Sequence, residues 1–240
     1  MKILPDWLTS GYLKLIDPVA DWLVERGVHP NAITIAGTIF MIAGGVLYGT
    51  GHIMIGGWLL SMTAFPDVLD GTVARRSGKS SQFGAFLDST LDRVADGAVL
   101  GGLAVFYALN TPHRNLVMVI VCIAAIIGSF MTSYTRARAE ALGLDAKVGT
   151  MQRPERVVLL SAPQALFGLF FNGWPLMIII VILTVTAWIT VVQRMLYVYD
   201  RTRVADGRPA PDRSAEPNEF RLWTRRPRRD TSARPALKGE

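Results

Sequence analysis

Six apolar stretches of membrane-crossing length divide the chain, near residues 31–50, 53–73, 86–109, 115–135, 156–172 and 174–198. About twenty such residues make a helix that crosses a hydrocarbon core of roughly 30 Å. The expected fold is therefore an all-α integral membrane protein with six transmembrane helices. The second, third and fifth stretches are less purely apolar, and the second and third hold four aspartates, Asp67, Asp70, Asp88 and Asp92. A carboxylate at bilayer depth is costly unless it is paired or metal-bound, so four of them in neighbouring spans mark a site. The composition agrees with one helical membrane domain: 240 residues, 50% of them hydrophobic, with a mean hydropathy of +0.31.

Residues three or four apart share a helix face, which pairs Asp67 with Asp70 on one segment and Asp88 with Asp92 on the next. Two acidic ridges can then face each other. Like charges so close need cations between them, and oxygen donors select Mg2+ or Mn2+ over Zn2+, which wants His or Cys. A divalent metal site follows, with room in the donor set for two ions. Taken singly, each aspartate would read as a helix cap or a solvated acid. Gly71 and Gly84 carry no side chain, and Ala74 is nearly as small on the same face, so a nucleotide can approach the backbone there; close helix packing is the competing explanation. Arg75 can neutralise a phosphate, and would look the same as a cytoplasmic membrane anchor.

The full run, Asp67-x2-Asp70-Gly71-x2-Ala74-Arg75-x8-Gly84-x3-Asp88-x3-Asp92, resembles the signature of the CDP-alcohol phosphotransferase family at every defining position. The resemblance implies a six-helix membrane enzyme that displaces CMP from a CDP-linked lipid with the hydroxyl of a small polar alcohol. It also implies that Asp67, Asp70 and Asp88 hold metal at the CDP pyrophosphate, while Asp92 shares the metal and serves as base. Family members often have a Pro-Asn segment beside the nucleotide, so the resemblance implies a nucleotide contact from Asn31, in the Pro30-Asn31 segment that opens the first span. Helix capping would explain Asn31 nearly as well.

The acceptor is read from the stretch Ser133 to Gly143 and from Gln152-Arg153-Pro154-Glu155-Arg156, with Arg194 near the end of the last span. Convergent guanidiniums suit a phosphate, which accepts forked charge-assisted bonds that a neutral alcohol does not need. Membrane anchoring and salt bridges to Glu140 or Glu155 account for some of these arginines, Arg138 and Arg153 first. The same stretches are similar to the branch of the family that uses inositol 1-phosphate. That likeness implies acceptor contacts from Ser133, Arg136, Arg156 and Arg194. Glycerol 3-phosphate, also phosphorylated, is the close alternative; serine and free inositol need no arginine cluster.

Charge sets the orientation. Arg75, Arg76 and Lys79 crowd the second connection, and Arg136, Arg138, Lys147, Arg153 and Arg156 the fourth. The third has only Arg114, and the first and fifth have neither Lys nor Arg. The positive-inside rule then places the acids and both termini on the cytoplasmic side of the cell membrane. Residues 1–30 read as a juxtamembrane amphipathic segment, helical from Asp6 to Gly27, without the pattern of a cleaved signal peptide. Residues 31–200 form the six-helix domain. From 201 to 240, Pro, Ser and many Arg replace the apolar pattern, as expected of a disordered basic cytoplasmic tail. With a net charge of +6, that tail meets anionic lipid before nucleic acid, so no nucleic-acid partner is expected. The small-residue faces around Gly44, Gly45, Gly97 and Gly101 suggest helix packing, and a homodimer is expected.

Asp96, one turn past Asp92, reads as a supporting or packing residue within reach of Arg93. Cys122, the only cysteine, reads as a buried inert thiol, and His29, His52 and His113 lack partners for a metal site. A cation-coupled transporter would also carry intramembrane acids. It would not require the spacing of Gly71, Ala74, Arg75 and Gly84, and its acids are expected deeper in the bilayer.

Overall fold

The computed structural model describes residues 17–146, 148–149 and 153–205, without the side chains of 64–68, 153–154 and 204–205. A short helix α1 (17–25) is followed by α2 (Pro30–Gly49), α3 (Ile53–Met62), α4 (Ala64–Arg76), α5 (Gln82–Leu109) and α6 (Leu116–Ala141). After these come α7 (Arg153–Phe167), a single 3-10 turn (Phe170–Gly173) and α8 (Trp174–Ala205). All described regular structure is helical. The remainder of the expected amphipathic stretch, residues 6–16, and the tail from 206 lie outside the described residues.

Helix ends follow local chemistry. His29 caps α2, its Nδ1 accepting from the Asn31 amide at 3.2 Å. Ser81 caps α5, accepting from the Gly84 amide at 3.0 Å. Asn115 caps α6, accepting from the Met118 amide at 3.2 Å. The Ser81 cap starts α5 four residues before the expected boundary at 86, which brings Gly84 onto the same helix as Asp88 and Asp92. Helix α6 also runs past its expected end at 135, to Ala141, where Gly143 turns the chain with a φ of +74°. Residues 133–140 are therefore helical, and α8 carries the chain five residues past the expected end of the domain at 200.

The expected second span is two helices. Pro66 has no N–H to give the Met62 carbonyl, so the ladder breaks, and Thr63 sits between α3 and α4 with its hydroxyl on the Leu60 carbonyl at 2.6 Å. Among the described residues, three stretches are long and apolar enough to cross a membrane: Pro30–Gly49, Leu116–Ala141 and Phe170–Arg203. Their outward faces carry apolar rows, Ile35, Ile39 and Val46 on α2 and Ile120, Ile123 and Ile127 on α6, each more than two-fifths exposed. Water would not tolerate such faces and lipid does, so the protein is a membrane protein.

Within the bundle α2 packs on α5, α3 on α7, α6 on α8, and α5 also on α6. The tightest approach is between α2 and α5, where a Cβ on Gly102 would overlap the Gly45 carbonyl. Gly44 and Gly45 thus make the close packing expected of them. Gly101 does not, because no neighbouring atom lies within 4 Å of its Cβ position; the helix turns Gly102 toward α2 instead. In α7, Pro163 leaves the Leu159 carbonyl without its helical donor, and the Gln164 amide, turned to donate, reaches Leu159 and Leu160 at 3.1 and 3.0 Å. The Tyr48 hydroxyl adds a 2.5 Å bond to Leu160 and ties α2 to this repaired turn.

Candidate active site

At one end of the bundle, α2, α4, α5 and the α4–α5 connection enclose a cavity of about 210 Å³. Seven of the residues singled out in the sequence meet there: Asn31, Asp70, Gly71, Ala74, Arg75, Gly84 and Asp88. Helical register explains the convergence. Asp70, Gly71 and Ala74 are successive neighbours on one α4 face, Gly84 and Asp88 are one turn apart on α5, and Asn31 lies in the first turn of α2.

Asp70 is 9% exposed and is held from both sides. Its Oδ2 accepts from the Thr34 hydroxyl at 2.7 Å and its Oδ1 from the Gly71 amide at 2.5 Å. Thr34 is a site residue that the sequence reading missed. It lies one turn from Asn31 on α2, but its link to an acid 36 positions later exists only in the folded bundle. Lys79, Ser80 and Ser81 line the same cavity. Lys79 also reaches the Gly27 carbonyl at 3.5 Å. Asn31 does not cap α2, since His29 does, and its Oδ1 lies 3.2 Å from where a Cβ on Gly84 would stand. Larger residues at 84 would press on Asn31 and Ser81, so the glycine keeps the cavity open. Arg75 is exposed, with Nη2 donating to the Thr72 hydroxyl at 3.3 Å. Arg76, next to it, points away and binds Asp17 and Asp21 of α1.

Asp92 is one turn beyond Asp88 on α5, outside that cavity's lining, with an Oδ2 3.8 Å from Arg93. The backbone of Asp67 lies on α4 three residues before Asp70; its side chain is outside the described residues. Among the described residues no three His, Cys, Asp or Glu stand together as a metal cage. The donors that do meet, Asp70 and Asp88 with the hydroxyls of Thr34, Ser80 and Ser81, are all oxygen, the donor set that suits a hard divalent cation and not zinc.

The arginines of the acceptor stretch gather on α6. Arg156 Nη1 donates to the Ser129 hydroxyl at 2.9 Å. Arg194 donates through Nε to the Val148 carbonyl at 2.8 Å and through Nη1 to the Thr132 carbonyl. Ser133 and Arg136 stand one turn past Ser129 and Thr132. Arg136 is bonded to Glu140 at 2.9 Å, so the Glu140 salt bridge assigned first to Arg138 and Arg153 falls on Arg136 instead. Arg194 also feels the charges of Arg136, Arg156 and Glu140. Asp96 lies 3.7 Å from Arg156 across the α5–α7 boundary. One face of α5 thus runs from the acidic cavity at Asp88, past Asp92, to Asp96 and its partner Arg156. By helix rise that is about 12 Å from Asp88 to Asp96.

A helical membrane bundle with an oxygen-lined acidic cavity and an arginine cluster along one helix defines a membrane-embedded transferase acting on phosphate esters. The model of the CDP-alcohol phosphatidyltransferase family matches residues 27–199, and the chain belongs to that family. It is 37% identical over 221 residues to the phosphatidylinositol phosphate synthase of Streptomyces avermitilis, covering 89% of this chain and 90% of that one. Among solved structures it resembles the Mycobacterium tuberculosis phosphatidylinositol phosphate synthase with CDP-DAG bound. That match has a TM-score of 0.70 and 34% identity, and covers 78% of this chain and 94% of the other. The same mycobacterial enzyme in complex with manganese and citrate matches with a TM-score of 0.69 and 35% identity, over 77% of this chain and 88% of the other. Divalent metal binding therefore occurs in this family.

Proposed function

We propose that the protein transfers the phosphatidyl group of CDP-diacylglycerol to the hydroxyl of inositol 1-phosphate, giving phosphatidylinositol phosphate and CMP. The observation that carries the acceptor class is the convergence of Arg156, Arg194 and Arg136 on one stretch of α6, alongside the α5 face that holds Asp92. A phosphorylated alcohol supplies the anion that such a cluster needs. Relatives named for the same reaction support the choice of inositol 1-phosphate over glycerol 3-phosphate.

The acidic cavity takes the CDP end of the donor. Asn31, Gly71, Ala74 and Gly84 line the space for the nucleotide, and Arg75 and Lys79 offer positive charge to its phosphates. Asp67, Asp70, Asp88 and Asp92 would hold two divalent ions, Mg2+ or Mn2+. When bound, such ions neutralise charge at the pyrophosphate and on departing CMP. Thr34 and the Gly71 amide fix the Asp70 carboxylate, so the donor set is preorganised before ligand arrives. Asp92, between the cavity and the arginines, accepts the proton of the acceptor hydroxyl as that oxygen attacks phosphorus and the CMP oxygen leaves. Ser133, Arg136, Arg156 and Arg194 hold the acceptor phosphate.

All six helical segments after α1 cross the cell membrane, counting α3 and α4 as one broken crossing, with the acids and both termini toward the cytoplasm. Arg75, Arg76 and Lys79 at the acidic end, against Arg114 alone at the α5–α6 connection, support that orientation. The segment before α2 lies along the membrane surface, and two copies pair in the bilayer.

CMP release from purified protein in mixed micelles with Mg2+ and CDP-diacylglycerol tests the reading. The expected result is release that requires inositol 1-phosphate and stops with EDTA. A transporter would release no CMP under any condition.

A further inference from the structure

We infer that Asp96 is a positioning residue for the acceptor: through Ser129 it fixes the guanidinium of Arg156 in the orientation that receives the acceptor's phosphate. The inference deepens the reading above and rests on it. Ser129 is 2% exposed and has one proton to give. It gives that proton to Asp96 Oδ2 at 2.7 Å, which leaves its lone pairs to accept from Arg156 Nη1 at 2.9 Å. The chain Arg156 to Ser129 to Asp96 therefore has a fixed direction, and the carboxylate closes it with a 3.7 Å ion pair to the same nitrogen.

Only Nη1 of the guanidinium is taken by these contacts. Arg156 Nε is buried and has no hydrogen-bond partner among the described residues, a donor still in need of an acceptor. A small cavity of about 30 Å³ lies beside the trio, bounded by Asp96, Ser129 and Arg156 and by core side chains such as Met41, Leu60 and Val99. A charge pair in such a place adds little stability that apolar residues of the same size would not supply. Its value lies in geometry. A planar fork binds phosphate well only when its plane is set in advance, and Asp96, Ser129 and Arg156 come from three helices whose packing sets it.

Steady-state kinetics with inositol 1-phosphate test this. Asp96→Asn is expected to raise the KM for inositol 1-phosphate roughly tenfold or more, as misplacement of a binding group does. The KM for CDP-diacylglycerol should stay within about twofold, as expected for a substrate whose contacts lie elsewhere. Asp96→Glu should recover part of the loss. In an Arg156→Gln background, Asp96→Asn should add no further rise, because both changes remove one interaction. A fall in kcat with the acceptor KM unchanged, or additive effects in the double variant, would overturn the inference. If Asp96→Asn gives no folded protein, Ser129→Ala carries the test: an unchanged acceptor KM there also overturns it. Wild-type protein that uses free inositol as well as inositol 1-phosphate would refute the reading under "Proposed function" instead. A preference for the phosphorylated acceptor that Asp96→Asn and Ser129→Ala leave intact would sink only the role of Asp96.

Discussion

Asp92 differs from Asp70 and Asp88 in where the fold puts it. Asp70 and Asp88 line the cavity, whereas Asp92 lies one turn further along α5, outside that lining, and is the proposed base. Asp92→Asn should therefore lower turnover by about 10²-fold or more, while CDP-diacylglycerol still binds; full activity in that variant would remove Asp92 from the base role. Thr34 touches Asp70 in the cavity lining. Replacing it by isosteric Val leaves Asp70 with its Gly71 contact and removes one hydrogen bond worth about 0.5–1.5 kcal/mol. The KM for CDP-diacylglycerol should rise a few-fold with kcat little changed, and an unchanged KM would place Thr34 outside the site. The acids were readable in advance because a carboxylate in an apolar run has few other reasons to be there. Thr34 was not, because a threonine in a membrane helix commonly bonds its own backbone, as Thr38 does to the Thr34 carbonyl at 2.9 Å.

Helix packing sets the distances between those groups. Asn31 comes to Gly84 because α2 lies close against α5, an approach that depends on Gly45 and Gly102, while Thr34 reaches Asp70 across the α2–α4 contact. Gly102→Val puts a side chain where the Gly45 carbonyl already is, an overpacking that costs about 1–3 kcal/mol or more. Its detergent-solubilised form should melt at a clearly lower temperature than wild type. Gly101→Val, which points into open space, should melt close to wild type; equal losses in both would show that the α2–α5 contact is not what the glycines serve. The sequence pattern marked a small-residue face here but was one residue off in naming its contact point, since Gly101 and Gly102 are adjacent and only the register of packed helices separates them. The break at Thr63 was visible in Pro66, although an apolar run of the right length concealed it. The partnership of Asp96 with Arg156 joins residues sixty positions apart, and no local pattern encodes it.

At the scale of the whole molecule, one bundle brings two chemistries to a single helix. On the proposed reading the α4–α5 acids take a pyrophosphate and the arginines of α6, α7 and α8 take a second phosphate; Asp96, the partner of Arg156, lies about 12 Å from Asp88 by helix rise. The apolar outward faces of α2, α6 and α8 keep the assembly in lipid, where a CDP-lipid is already at hand. On the proposed reading, a lipid-borne donor and a soluble acceptor then meet at Asp92. The most direct test offers purified protein, Mg2+ and CDP-diacylglycerol four acceptors in separate reactions, inositol 1-phosphate, glycerol 3-phosphate, free inositol and serine, with lipid products resolved by thin-layer chromatography. The account predicts a lipid product with inositol 1-phosphate alone. Product from glycerol 3-phosphate in its place, or from free inositol to the same extent, would contradict it.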